Sequence, residues 1–235
     1  LGPGASRFRV GDEVFTYARK PVIKHGTYAE YVAVKDHDVA LKPRTLSFEE
    51  AASVPLSALT AYQALFDSAQ LKKGEAILIH AAAGGVGGFA VQLARNSGAF
   101  VIGTASAANH DYVKSLGAKV VIDYTKVDFR EALPQGPVDV VFDCVGGEVL
   151  TRSVRALKTE GRLVSILGSL DPETAAETQI KSLYLFVQPN GLQLDRIRNL
   201  IEAGELKTHI EAVFPLKDAA KAHELSETRH GRGKI

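Results

Sequence analysis

One cysteine, Cys144, is all the chain contains, which excludes an internal disulfide framework and any zinc site built from several thiolates. A reducing, cytosol-like compartment is therefore expected. Charge of one sign is missing too: 28 basic residues stand against 27 acidic ones, leaving a net +1. That balance gives no electrostatic footprint for nucleic acid and no polybasic block for an anionic membrane. No apolar run approaches the roughly 18 residues of a membrane span, and the N-terminus lacks a charged-then-apolar secretory pattern. A soluble, cytoplasmic protein with a small-molecule partner is expected. The chain opens on Leu1-Gly2-Pro3-Gly4 and stops at Gly233-Lys234-Ile235 where a strand pattern begins, so a fragment of a longer protein is also expected.

What is present is enough apolar residue, 46% of 235, to bury a core. From Val10 to Leu41 the pattern reads as short strands and turns, notably 12–15 and 27–34, punctuated by Gly11 and Gly26. Ser47-Phe48-Glu49-Glu50 has the form of a capped helix start, and a second helical stretch runs from Ala58 to Ser68. After Gly74 the style changes. Short apolar runs at 76–79, 100–102, 120–122, 138–142, 163–167 and 183–187 alternate with helical stretches. Strands buried on both faces have this composition, and the alternation predicts a doubly wound α/β Rossmann sheet of about six parallel strands. An amphipathic helix at 194–203, a strand at 209–214 and a helix at 218–226 complete the chain.

The run Ala81-Ala82-Ala83-Gly84-Gly85-Val86-Gly87-Gly88 stands between the strand ending at Ile79 and the helical Phe89-Ala90-Val91-Gln92-Leu93-Ala94. Strand, glycines and helix in that order are the context of a dinucleotide-binding turn. Gly84 lets backbone approach a pyrophosphate, Gly87 lets helix pack on strand, and the helix N-terminus offers free N–H groups. Ala82 replaces the first glycine of the usual G-x-G-x-x-G. About twenty residues further on, where an NAD site places Asp or Glu against the ribose 2′-hydroxyl, the strand ends in Gly103-Thr104-Ala105-Ser106-Ala107. Without that carboxylate a 2′-phosphate meets no repulsion, and Ser106, Asn109, His110, Lys114 and Tyr124 are candidate donors to it. NADP(H) is thus expected over NAD(H).

The other reactive side chains carry less. The seven histidines, at 25, 37, 80, 110, 209, 223 and 230, lack the close pairing of metal ligands, so no metal site is expected. His80, beside the glycines, is expected to serve structure. Cys144 ends a buried strand with no neighbouring cation, which argues against a nucleophile. Tyr28, Tyr31 and Thr60 are the only hydroxyls considered as proton donors, and none is assigned as catalytic.

Several separate segments resemble the zinc-independent quinone oxidoreductases (zeta-crystallin-like) of the medium-chain dehydrogenase/reductase superfamily. These are His80 to Gly87, Ser57-Ala58-Leu59-Thr60-Ala61-Tyr62, Leu116-Gly117-Ala118, Phe8 to Val14, Gly26 to Tyr31, Phe142 to Gly147, Tyr184 to Pro189 and Arg232 to Ile235. The resemblance implies a GroES-like β-rich catalytic domain interrupted by a Rossmann domain, here 1–56, 57–190 and 191–235. It also implies NADPH in the cleft and hydride transfer to quinones or α,β-unsaturated carbonyls without metal. By carry-over, Thr60 lies near nicotinamide and phosphates, Gly84, Gly85, Val86 and Gly87 on the pyrophosphate, and Ser106 and Tyr124 around the 2′-phosphate. Cys144, Val145, Gly146, Leu167, Gly168, Phe186 and Val187 then edge the adenine, ribose and nicotinamide. The family's members begin with a long β-rich segment that supplies much of the substrate pocket, and this sequence starts past it, so the present chain is expected to hold most of the cofactor site and one wall of the catalytic cleft, and to be inactive alone. The alternative from another class is a dinucleotide-binding protein without turnover, as in structural lens proteins or RNA-binding relatives; the neutral charge disfavours RNA. The exposed edge strand 183–187 points to a homodimer.

Overall fold

The computed structural model describes residues 1–2, 4–20, 22, 24–228 and 231–235, and these divide into two compact units: Leu1–Leu59 with Val187–Ile235, and Thr60–Phe186. In chain order the elements are β1 (Val14–Thr16), β2 (Val39–Leu41), α1 (Phe48–Ala52), α2 (Pro55–Tyr62), β3 (Ala76–Ile79), α3 (Gly85–Asn96), β4 (Phe100–Ala105) and α4 (His110–Leu116). They continue with β5 (Val120–Asp123), β6 (Val138–Asp143), α5 (Gly147–Ser153), β7 (Leu157–Ser165), α6 (Pro172–Ala176), β8 (Lys181–Tyr184), α7 (Gly191–Glu202) and α8 (Ala219–Glu227). No described helix is long and apolar enough to cross a membrane.

The second unit is built on a six-stranded parallel sheet in the order β5-β4-β3-β6-β7-β8. Counted from β3 this is the 3-2-1-4-5-6 order of a Rossmann sheet. Because strand residues alternate faces, Leu78, Ile102, Val141 and Leu163 pack on one side with Ile122, Phe129 and Leu150. Their neighbours Ile77, Val101, Val140 and Val164, equally buried, face the other. Burial on both faces is why the strands read as unbroken apolar runs. The first sequence expectation, six parallel strands wrapped by helices, is the observed fold.

Boundaries shifted where register decides. The strand expected at 163–167 begins six residues earlier, with a register shift between Val138 and Val140 of its partner, and the strand expected at 183–187 ends at Tyr184. The helical stretch 58–68 starts at Pro55 and continues as a π-turn from Gln63 to Ser68, closed by the Ala69 N–H on the Ala64 carbonyl.

The first unit corrects two expectations. Among the described residues its sheet is the antiparallel pair β1 and β2, three residues each. Residues 27–34, expected as a strand, form no regular element, and Tyr31 is 90% exposed. Residues 209–214, also expected as a strand, contribute only an isolated bridge between Ile210 and Lys234. Both segments have strand-like side chains but no described neighbour that completes a ladder, and β-propensity without a partner strand does not hold a strand. The helix start at Ser47 is as expected: its hydroxyl accepts the Glu50 N–H and the Glu50 carboxyl accepts the Ser47 N–H.

Candidate functional site

The strand order reverses between β3 and β6, and α/β sheets of this kind bind ligands beyond the carboxyl ends of the strands at such a point. Register places those ends in one row: Ala105 pairs with Asp123, Gly103 with Ile79, Ile79 with Phe142, Asp143 with Ser165, and Ser165 with Tyr184. Ser106, Tyr124, the glycine turn, Cys144-Val145-Gly146 and Leu167-Gly168 all follow directly from that row.

At its centre the chain leaves β3 through Ala81, which takes the left-handed conformation at φ +52°, and enters α3 with Gly84 as N-cap. No side chain caps this helix, so its first N–H groups are left for a ligand. A Cβ on Gly87 would stand 2.2 Å from the Ala81 carbonyl oxygen, closer than any side chain tolerates, while one on Gly84 would stand 3.3 Å from it. Gly103 on β4 meets the same need: its Cβ would fall 2.8 Å from the Ala82 methyl. Ala82 therefore occupies the place of the first motif glycine because the facing strand supplies the missing space. The cradle, helix N-terminus and crowding glycines are the parts that a pyrophosphate requires.

Beneath the turn lies His80, 1% exposed. Its Nδ1 is 3.2 Å from the Thr104 hydroxyl and its Nε2 3.0 Å from the Ser153 hydroxyl, with the ring edge-on to Phe129. Burial holds its pKa down at about 4, with nearby Asp143 opposing and Arg152 reinforcing the shift. It is a neutral core histidine, in line with the structural role expected of it. Arg152 is in turn held by Asp128, which also pairs with Arg130, and stacks over Phe129.

On the far side of the switch point Asp143, fully buried, accepts the N–H groups of Val145 (3.0 Å) and Gly146 (3.1 Å) and the hydroxyl of Ser165 (2.7 Å). Ser165 in turn accepts the Leu167 N–H at 3.1 Å. Gly146, at φ +78°, lies so near Leu167 that a Cβ would stand 2.7 Å from that residue's own. The two loops expected to edge a dinucleotide are thus braced to each other. The Cys144 thiol is pushed up well above its ordinary value by burial and by Asp143, which leaves no thiolate for nucleophilic chemistry.

At the other end of the row, Ser106 is half-buried and accepts from the Asn109 amide at 3.4 Å. Tyr124 and Lys114 are exposed, and His110 Nε2 is buried without a hydrogen-bond partner. The acid paired with Ala105 on the neighbouring strand, Asp123, is turned back on its own loop, where its Oδ1 accepts the N–H and hydroxyl of Thr125. Thr60 is buried on α2 within the second unit; Phe186 is exposed and closes that unit, whereas Val187 belongs to the first. Tyr28 and Tyr31, also in the first unit, are exposed, and the Tyr28 hydroxyl lies 3.1 Å from His223 Nε2. Among the described residues no three His, Cys, Asp or Glu side chains come together as a metal site, and His230 lies outside the described residues.

Asp143, Ser165, Thr104 and Gly103 were not singled out in the sequence. One signal was there: Asp143 is a polar residue directly following the apolar run Val140-Val141-Phe142.

Such a sheet, with an uncapped glycine-led helix at its switch point, defines a dinucleotide-binding protein of the Rossmann class. Comparison with known proteins narrows this. A family model described as "Zinc-binding dehydrogenase" matches residues 116–235. The "Probable zinc-binding oxidoreductase, mitochondrial" of Arthroderma benhamiae is 36% identical over the whole chain, which spans 75% of that protein. The "NADPH-dependent alkenal/one oxidoreductase, chloroplastic" of Arabidopsis thaliana is 33% identical, again over the whole chain, which spans 60% of it. The solved structure of the Escherichia coli quinone oxidoreductase complexed with NADPH superposes with a TM-score of 0.86 at 30% identity, covering 99% of this chain and 77% of that one. The chain belongs to the quinone oxidoreductase-type family of the medium-chain dehydrogenase/reductase superfamily, a family of oxidoreductases with a GroES-like and a Rossmann domain.

Proposed function

We propose that this chain carries the cofactor site of an NADPH-dependent oxidoreductase that passes hydride to quinones or α,β-unsaturated carbonyls without zinc. The observation that carries the reading is the row of strand ends, with an uncapped α3 at the switch point and no carboxylate at the end of β4. Gly84, Gly85, Val86 and Gly87 would hold the pyrophosphate, Ser106 with His110, Lys114 and Tyr124 the 2′-phosphate, and the braced loops 144–146 and 167–168 the remaining edges. Bound there, the nicotinamide supplies the hydride. The protein's part is to aim that ring, keep water from it and offer hydrogen bonds to the oxygen on which negative charge develops. The substrate classes rest on the names of relatives, which act on alkenals, enones or quinones.

Two lesser readings accompany this. The outermost strand β8 leaves Leu183 and Tyr184 exposed, with Phe186 exposed just beyond it, which favours pairing with a second copy into a homodimer; sedimentation as a monomer at high concentration would count against it. A single cysteine suits a reducing, cytoplasmic location, testable by cell fractionation.

The deciding experiment follows NADPH oxidation by the intact protein with a panel of quinones and enones. Turnover with either class, faster with NADPH than NADH, is the expected result. Saturable NADPH binding with no turnover on any acceptor replaces the enzyme reading with that of a binding protein.

A further inference from the structure

The hydrogen bonds around His80 admit one assignment. The Ser153 hydroxyl donates to the Val149 carbonyl at 2.6 Å, so toward His80 it accepts, and Nε2 carries the proton. Nδ1 is then a bare acceptor, and its partner among the described residues is the Thr104 hydroxyl, which donates to it. With its proton committed to His80, Thr104 Oγ1 presents its lone pairs to the Ala81 N–H, 3.3 Å away, while the Thr104 carbonyl accepts the Ala82 N–H at 3.0 Å. Threonine 104 thus grips both amides of the bend that leads into the glycine turn.

That bend is the unfavourable part of the cradle. Ala81 sits in left-handed backbone where an L side chain is strained, and its carbonyl oxygen accepts the Gly84 N–H at 3.0 Å and faces Gly87. Displacing Ala81 displaces the N-cap of α3 with it. On the reading that this turn binds the pyrophosphate of NADPH, we propose that His80 is a positioning residue for cofactor affinity: by orienting the Thr104 hydroxyl it fixes the left-handed Ala81 and so the aim of the Gly84 to Gly87 amides. His80 touches no ligand; it acts through Thr104. The depressed basicity of its ring agrees, since a protonated Nδ1 would repel the Thr104 hydroxyl proton and break the chain of bonds.

The test compares Thr104→Val, which keeps shape and loses the hydroxyl, with Thr104→Ser, which keeps the hydroxyl. Binding of NADPH and of adenosine 2′-monophosphate, which lacks the pyrophosphate, is titrated for each by calorimetry. Thr104→Val is expected to raise the Kd for NADPH about 3- to 10-fold, the worth of one neutral hydrogen bond, with that for adenosine 2′-monophosphate unchanged and Thr104→Ser close to wild type. Should Thr104→Val fail to fold, Ser153→Ala serves: it frees Nε2–H of its acceptor and is expected to weaken NADPH binding at least twofold, again selectively. Unchanged NADPH binding in the folded variant, or equal weakening of both ligands, overturns the inference while leaving the cofactor reading in place. A wild-type protein that binds no NADPH overturns the cofactor reading itself, and the inference with it.

Discussion

The hydroxyl of Ser165 donates to the carboxyl of Asp143 across 2.7 Å, joining the carboxyl ends of two neighbouring parallel strands. Because both residues are buried, neither has water as a substitute partner. Ser165→Ala strips the carboxyl of one donor and leaves the Leu167 N–H without its acceptor. We expect a loss of about 1–3 kcal/mol in urea denaturation, together with weaker NADPH binding as loops 144–146 and 167–168 come apart. Wild-type stability in this variant would show the brace to be dispensable.

His80 gives stability a definite pH window. Unfolded, its imidazole titrates near 6.5; folded, near 4. Between those values the unfolded chain holds a proton that the folded chain lacks, so stability rises with pH across the window and declines as pH falls through it. The fall from 6.5 to about 4 corresponds to about 3 kcal/mol for so buried a group. Denaturation midpoints measured from pH 4 to pH 7 should show this slope in the wild type and a flatter one in His80→Gln. Asp128, held well below the usual carboxylate range by Arg130 and Arg152, contributes its own loss at lower pH in both proteins. An identical slope in the two would remove His80 as its source.

The sheet was legible because its strands are buried on both faces, which leaves unbroken apolar runs such as Ala76-Ile77-Leu78-Ile79 with no helical period to compete. The glycine turn was legible by its neighbours rather than by its pattern, since Ala82 departs from the motif and only Gly103, on the adjacent strand, accounts for the departure. What stayed hidden is pairing at a distance. Thr104 and Ser153 reach His80 from 24 and 73 residues away, and Asp143 and Ser165 lie 22 apart, separations set by strand register and by the packing of α5 that no local spacing encodes. The first unit failed for the opposite reason: residues 27–34 have the strand composition, and composition was all there was to read, whereas a strand exists only where a neighbour pairs with it.

Two adjacent glycines in the first turn of α3 should respond to alanine with opposite signs. At Gly87 the new Cβ would lie 2.2 Å from the Ala81 carbonyl, and backbone must move to admit it. A loss of about 1–3 kcal/mol and at least a tenfold rise in the Kd for NADPH are expected. At Gly88 it would meet the Leu116 methyl at 3.4 Å, the Tyr112 hydroxyl at 3.6 Å and the Ala82 carbonyl oxygen at 3.9 Å, all ordinary contacts. There the gain in helix propensity should leave the protein as stable as wild type or up to about 1 kcal/mol more stable. Thermal denaturation of the two variants side by side decides the matter, and Gly87→Ala melting with the wild type would refute the close approach of helix to strand.

Cofactor choice can be tested at the one position where NAD-binding sheets carry an acid. Ser106 follows the last residue of β4, half-buried, and its oxygen accepts from the Asn109 amide. The acid on the neighbouring strand, Asp123, is engaged by Thr125 and does not replace it. Ser106→Asp sets a negative charge beside the proposed 2′-phosphate site, and at 4 Å two such charges repel by about 1 kcal/mol in water and about 4 kcal/mol at a protein surface. The NADPH affinity should therefore fall at least tenfold, while NADH, with a 2′-hydroxyl able to donate to the new carboxylate, should hold or gain. Ser106→Asn, which changes shape without charge, should leave the ratio of the two affinities within about threefold, less than one neutral hydrogen bond. If Ser106→Asp and Ser106→Asn return the same ratio, charge at the end of β4 does not select the cofactor, and the preference for NADPH must be sought in His110, Lys114 and Tyr124 instead.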